Sequence, residues 1–185
     1  MARYEAGIRT EARIVDATRQ LLGDQGLEGT TLKAICDKAG VRAGSFYNLF
    51  SSKDEVVLRV VKEAITAVDP HPDQTEPDSV ADLVEAFIAF ITKESTLARI
   101  YLQIAISGAL TNDSLGKRVL RHHHRRVDRL SAALMREQPE LDDQEAVARA
   151  QVILASLQGL AFNWLIDPAF DFAGHARRAV SGRLV

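Results

Sequence analysis

The stretch Thr31-Leu32-Lys33-Ala34-Ile35-Cys36-Asp37-Lys38-Ala39-Gly40-Val41-Arg42-Ala43-Gly44-Ser45-Phe46-Tyr47-Asn48-Leu49-Phe50 decides how this chain is read. Leu32, Ile35, Cys36 and Ala39 recur at the intervals of one helix face, with Thr30 or Thr31 in front as a start signal. Gly40 follows where the chain must turn through a left-handed conformation. A very short helix over 42–48 comes next. At 100° per residue Phe46 and Phe50 share one side with Leu49 beside them and pack inward, while Gly44 and Asn48 lie opposite, flanked by Ser45 and Tyr47. Two helices about a tight turn, the second showing a small and amide-bearing side outward, have the spacing of a helix-turn-helix. In that motif the second helix enters the major groove of DNA and the first braces it.

The residue types sort into two roles. Arg42 and Asn48 suit bidentate contacts to guanine and adenine, and the small Ala43 and Gly44 let the helix backbone come close to base edges. Thr31, Ser45, Tyr47 and Lys53 suit phosphate contacts, Thr31 and Lys53 at helix starts where the dipole also favours an anion. Lys33 joins this DNA-facing set. From Lys38 to Lys53 there are three cations, Lys38, Arg42 and Lys53, and no carboxylate. Cys36 falls on the inward face of its helix and reads as inert packing; as the only cysteine it forms no intrachain disulfide, which agrees with a reducing compartment.

Outward from this core, Ile14, Ala17, Thr18 and Leu21 predict a helix over about Thr10 to Asp24, stopped at Gly26. Downstream, Ser52-Lys53-Asp54-Glu55 is a capping box that opens a helix reaching about Val68. Asp69 to Pro77 is acidic and holds Pro70, Pro72 and Pro77, so it reads as a loop between domains. Ser79 with Asp82 caps a helix to about Lys93, and Leu97 to Leu110 is helical, with a break at 111–114. Leu115, Val119, Val127, Leu130 and Leu134 mark a long amphipathic helix, Asp142 with Glu145 caps another reaching Ile166, and a last helix starts at Pro168. No window shows the alternation of a strand. The expected fold is all-α with about nine helices: a helix-turn-helix domain over 1–52 and a larger helical domain over 53–185.

Bulk properties remove other classes. With 185 residues, 46% hydrophobic content and a net charge of -2, the chain is neither disordered nor a generally basic binder. Its first fifteen residues mix charges with no apolar run, so neither a signal peptide nor a membrane anchor is expected. From Ala150 to Ile166 there is no charge, yet Gln151, Ser156, Gln158 and Asn163 interrupt a stretch too short for a bilayer. The reading is a cytoplasmic protein with no membrane partner, and an apolar helix covered on more than one side, as core and as subunit interface.

Enzyme readings find no support. A carboxylate-bridged metal site needs inward Glu-x-x-His pairs, and no such pair occurs; nor does a Gly-rich phosphate loop, a His-Glu-x-x-His or a nucleophile elbow. His122, His123 and His124 are consecutive, and on a helix they fan out by about 100° each and do not converge on one ion. No metal and no cofactor is expected. His123 lies on the stripe of Val119 and Val127 and is read as facing the interior.

The segment Thr30 to Val56 resembles the DNA-binding signature of the TetR family of regulators, and the likeness extends over about residues 8–62. It rests on the Ala39-Gly40-Val41 turn, on Tyr47 and Phe50, and on Lys53-Asp54-Glu55. Two positions depart: Cys36 stands where alanine is usual, and Arg42 where a serine or other capping residue is common, which bears on the helix cap. The resemblance implies a homodimer that binds a palindromic DNA operator and is released from it by a small-molecule effector, so that a repressor is expected. The helices at 143–166 and 168–182 would pair with their copies, with Ala146, Ala150, Ala155 and Gly159 permitting close approach. An effector cavity would draw on Phe87, Phe90, Ile91, Tyr101, Leu102, Phe162 and Trp164, with Gln103, Asn163 and His123 as polar anchors. The alternatives are an activator without small-molecule induction, or a helical interaction module whose DNA binding is weak and without sequence preference.

Overall fold

A computed structural model of the chain describes residues 2–68, 77–109 and 114–180. Within them it has nine α-helices and no strand: α1 Ala2–Gly29, α2 Leu32–Ala39, α3 Ala43–Tyr47, α4 Lys53–Ala67, α5 Val80–Lys93, α6 Ser95–Ala109, α7 Ser114–Glu137, α8 Asp143–Ile166 and α9 Phe172–Val180. The all-helical expectation holds. Most of the interdomain loop read at Asp69 to Pro77, and the break read at 111–114 apart from Ser114, lie outside the described residues.

By packing, the described chain falls into two compact units. The first runs to Thr66 and takes in Thr96–Ile104; the second holds Ala67–Ser95 and the residues from Ala105 onward. In the first unit α1 buries Ile14, Ala17, Leu21 and Leu22, α2 buries Ile35, Cys36 and Ala39, and α4 buries Val56, Val57, Val60, Val61 and Ala64. Thr18 is buried among them, and its hydroxyl donates to the Ile14 carbonyl at 2.7 Å, so the core contains no orphaned hydroxyl at this point. Gly26, with φ 70°, does not end α1 but kinks it, and a short helical stretch continues to Gly29.

The second unit packs α5, α7, α8 and α9 together. Val84, Phe87, Ile88 and Ile91 form the buried stripe of α5, and Ala146, Ala150, Leu154, Leu157 and Ala161 that of α8. Ser79 caps α5 as read, accepting from Asp82 N–H at 3.1 Å while the Asp82 carboxylate accepts from Ser79 N–H at 2.9 Å. Asp142 caps α8, accepting from Glu145 N–H at 2.8 Å.

Two further boundary readings need correction. The box at Ser52 is only half formed: Ser52 Oγ accepts from Glu55 N–H at 3.2 Å, but the Glu55 carboxylate turns back one residue further and accepts from both the N–H and the hydroxyl of Ser51 at 2.7 Å. The last helix begins at Phe172 and not at Pro168, because Asp167 to Phe170 closes a turn in which Phe170 N–H donates to the Asp167 carbonyl at 3.0 Å.

Candidate nucleic-acid interface

Helix α2 is set by its ends. Thr31 Oγ1 accepts from Ala34 N–H at 3.1 Å, and Gly40 takes φ 62° and ψ 41°, donating to Asp37 while Val41 N–H reaches the Cys36 carbonyl at 3.0 Å. This left-handed close is open to glycine at little cost and is where the chain reverses toward α3. A further clamp comes from α1, where the Arg13 guanidinium donates to the carbonyls of Ala39 and Gly40. Sequence reasoning missed Arg13, since nothing in its spacing tells a turn-binding arginine from a solvated one.

Helix α3 is a single turn anchored by one side chain. Phe46 is fully buried, with the Phe50 ring 5.6 Å away and the Tyr47 ring set edge-on at 5.6 Å. The residues of α3 and its two ends predicted to meet DNA are exposed: Arg42, Ala43, Gly44, Ser45 and Asn48, with Tyr47 at 56% exposure. A Cβ built on Gly44 would meet nothing within 4 Å, so the absence of a side chain there is not a packing requirement. Arg42 caps α3 with its backbone only, as its side chain makes no cap hydrogen bond. The missing serine is not replaced, and the guanidinium stays available to an outside partner.

The phosphate candidates differ in readiness. Thr31 spends a lone pair on its cap but keeps its hydroxyl proton for an anion. Lys33 is held by Asp37 at 2.7 Å, and that hydrogen bond raises its ammonium above the ordinary lysine pKa. Lys53 stands at the start of α4, 3.9 Å from Asp54. Glu55 is held below the usual carboxylate range by its bonds from Ser51 and so fixes the loop after α3. Burial pushes the Cys36 thiol up, as suits a packing residue.

The effector candidates fall in both units. Phe87, Phe90 and Ile91 are buried in the second unit, where the Phe87 ring meets Phe172 edge-on at 6.2 Å and the Arg126 guanidinium at 4.7 Å. Tyr101, Leu102 and Gln103 belong to the first unit, with Gln103 exposed. Phe162 and Asn163 are exposed and Trp164 is half-buried. None of these candidates lines the cavity of about 470 Å³ formed by Leu134, Gln138, Ala148, Arg149, Val152, Ile153, Ala179 and Val180.

The inward histidine is His122 and not His123. The buried stripe of α7 runs through Leu115, His122, Arg126, Leu130 and Ala133, which places position 122 inside and leaves 123 half-buried. Burial, followed by Arg126, Arg125 and His123, pushes the His122 imidazole down to about 3. A correction also applies to the interface residues. Ala146 and Ala150 are fully buried within the single chain and offer no surface for a helix to approach, whereas Ala155 and Gly159 are exposed, as are Val152, Phe162 and Ile166.

A braced helix, a left-handed glycine turn and a one-turn helix with an exposed small and amide side define a helix-turn-helix protein. Residues 14–60 match the family model described as bacterial regulatory proteins, tetR family. The match lies within the first unit and covers the helix-turn-helix. The chain is 25% identical over 145 residues to the HTH-type transcriptional repressor KstR of Rhodococcus jostii, an alignment covering 74% of this chain and 65% of that protein. The chain thus spans less than two thirds of that relative's length. Among solved structures it resembles the MbdR regulator from Azoarcus sp. CIB, with a TM-score of 0.74 at 19% identity over 95% of this chain and 100% of the other. A complex of SmeT with triclosan gives a TM-score of 0.69 at 21% identity, covering 95% and 90%. Among the described residues no helix is long and apolar enough to cross a membrane.

Proposed function

We propose that the protein is a dimeric, sequence-specific DNA-binding transcription regulator, a repressor released from a palindromic operator by a small-molecule effector. The observation that carries the reading is the split on α3: one aromatic, Phe46, is sunk into the core, while Arg42, Ala43, Gly44, Ser45, Tyr47 and Asn48 face solvent together. A helix of five residues whose exposed side is small and polar is suited to a groove and has no evident structural reason for that composition. Residues 1–52 are taken as the DNA-contacting part, a functional division within a packing unit that reaches Thr66. Residues 53–185 are taken as the effector and dimerisation part. KstR, as named, is a repressor, and SmeT is seen with a bound small molecule; both support the repression and effector parts of the proposal.

The mechanism follows from linkage. A ligand that binds better to subunits spaced wrongly for successive major grooves draws the population away from the DNA-binding form, with no need to touch DNA. Grip and readout separate by residue. Tyr47→Ala is expected to weaken binding to all duplexes alike, by about 1–2 kcal/mol, and Asn48→Ala to relax preference at one base position by about 1–3 kcal/mol. Affinities of both variants on a panel of single-base operator changes check this, and identical effects of the two on every duplex would remove the division.

A further inference from the structure

Arg13 lies on α1, outside the two helices of the motif, and its position in the first unit is specific. Its Nη2 donates to the Ala39 carbonyl and, at 3.1 Å, to the Gly40 carbonyl. These are carbonyls at the close of α2, which lack partners within their own helix and carry the negative end of its dipole, so a guanidinium placed there satisfies acceptors and opposes partial charge together. The fit is mutual. A Cβ on residue 40 would stand 2.8 Å from Arg13 Nη2, so the glycine that allows the turn also leaves room for the clamp. Helix α3 starts three residues beyond Gly40 and is only five residues long, so its direction is not set by its own length. It is set by Phe46 in the core and by the turn that Arg13 holds.

We infer that Arg13 is a positioning residue for DNA recognition: it fixes the turn between α2 and α3 so that Gly44 and Asn48 meet base edges, and does so without contacting the duplex. This rests on the DNA-binding reading above and adds a residue to it. The rival role, a plain phosphate contact by an exposed arginine, would have to use Nε or Nη1, because Nη2 already serves two carbonyls, and it predicts a different salt dependence.

The test uses the full chain, a duplex selected by the unaltered protein from a random pool, and an unrelated duplex of equal length. Arg13→Gln is expected to bind the selected duplex about tenfold more weakly and the unrelated duplex within about twofold of the unaltered protein, with the salt dependence of binding unchanged. In the DNA-free protein the amides of Gly40 and Val41 are expected to exchange with solvent about tenfold faster, while those of Leu21 and Leu22 keep their rates. Arg13→Lys, which keeps a donor and the charge, is expected to return specific binding to within about threefold.

Equal loss on both duplexes with a salt slope smaller by about one would make Arg13 a phosphate contact and overturn the inference. Unchanged binding and exchange in Arg13→Gln, an Arg13→Gln chain unfolded as a whole, or no recovery with lysine would each overturn it as well. If the unaltered protein selects no duplex, the DNA-binding reading is what fails, and the exchange rates at Gly40 and Val41 still decide whether the clamp holds the turn.

Discussion

Single residues show what composition hides. Gly44 and Gly40 are four apart and have opposite reasons to be glycine. Gly44 has open space around it and ordinary backbone angles, so Gly44→Ala is expected to leave thermal unfolding within about 0.5 kcal/mol of the parent while lowering affinity for the selected duplex. Melting curves and a binding titration on one preparation check both halves. Gly40 has φ 62°, where any side chain is strained. His122 gives a pH prediction whose sign can be worked out. Its folded pKa of about 3 lies below the free imidazole value of roughly 6.5, so the unfolded chain binds the extra proton and stability falls as pH drops from about 6.5 toward 3. Urea unfolding between pH 7.5 and 4.5 is expected to show a decline of at most about 1.4 kcal/mol per pH unit that His122→Asn removes. The sequence placed the inward histidine one position late because Val119 and Val127 define a stripe edge and not its centre. Leu115, His122 and Arg126 carry the centre, and a buried arginine in that row is not visible to a hydrophobicity pattern.

Helices are where the sequence was most legible. The spans of α2, α5 and α8 follow from their caps, since Thr31, Ser79 and Asp142 each accept the N–H three residues on. Ser79→Ala is expected to cost about 1 kcal/mol of stability, measured by urea unfolding, with no effect on DNA affinity beyond that loss. Cap chemistry was less decisive where two candidates adjoin: with Ser51 and Ser52 in sequence, Glu55 chose the N–H and hydroxyl of Ser51. The start of α9 was misplaced because proline suits a first helical turn and also suits a tight turn, and here Asp167 stabilises the turn by accepting from Ala169 N–H at 3.0 Å. The exposed face of α3 was legible because Phe46 and Phe50 are large, apolar and spaced to share a side. The effector candidates fall in both units, and a list of aromatic residues carries no information on which ones pack together.

At the scale of the whole molecule, reading a palindrome needs a symmetric pair. Helix α8 buries a single stripe within its own chain and leaves Val152, Phe162 and Ile166 in solvent, Ile166 at 67%. An uncharged stretch over 150–166 with three large apolar side chains exposed is a poor surface for a lone subunit. Ile166→Asp is therefore expected to shift sedimentation at micromolar concentration from dimer toward monomer and to weaken binding to a full palindrome far more than to a half-site. In the proposed dimer, pairing would also set the geometry on DNA, with the two copies of α3 meeting half-sites about 34 to 36 Å apart. The most direct measurement is selection of bound duplexes from a random pool, followed by titration of the enriched duplex at physiological salt. An inverted repeat with half-sites one helical turn apart is expected, preferred about 1000-fold or more over unrelated DNA. Enrichment of no sequence, or binding that ignores sequence and vanishes with salt, would contradict it.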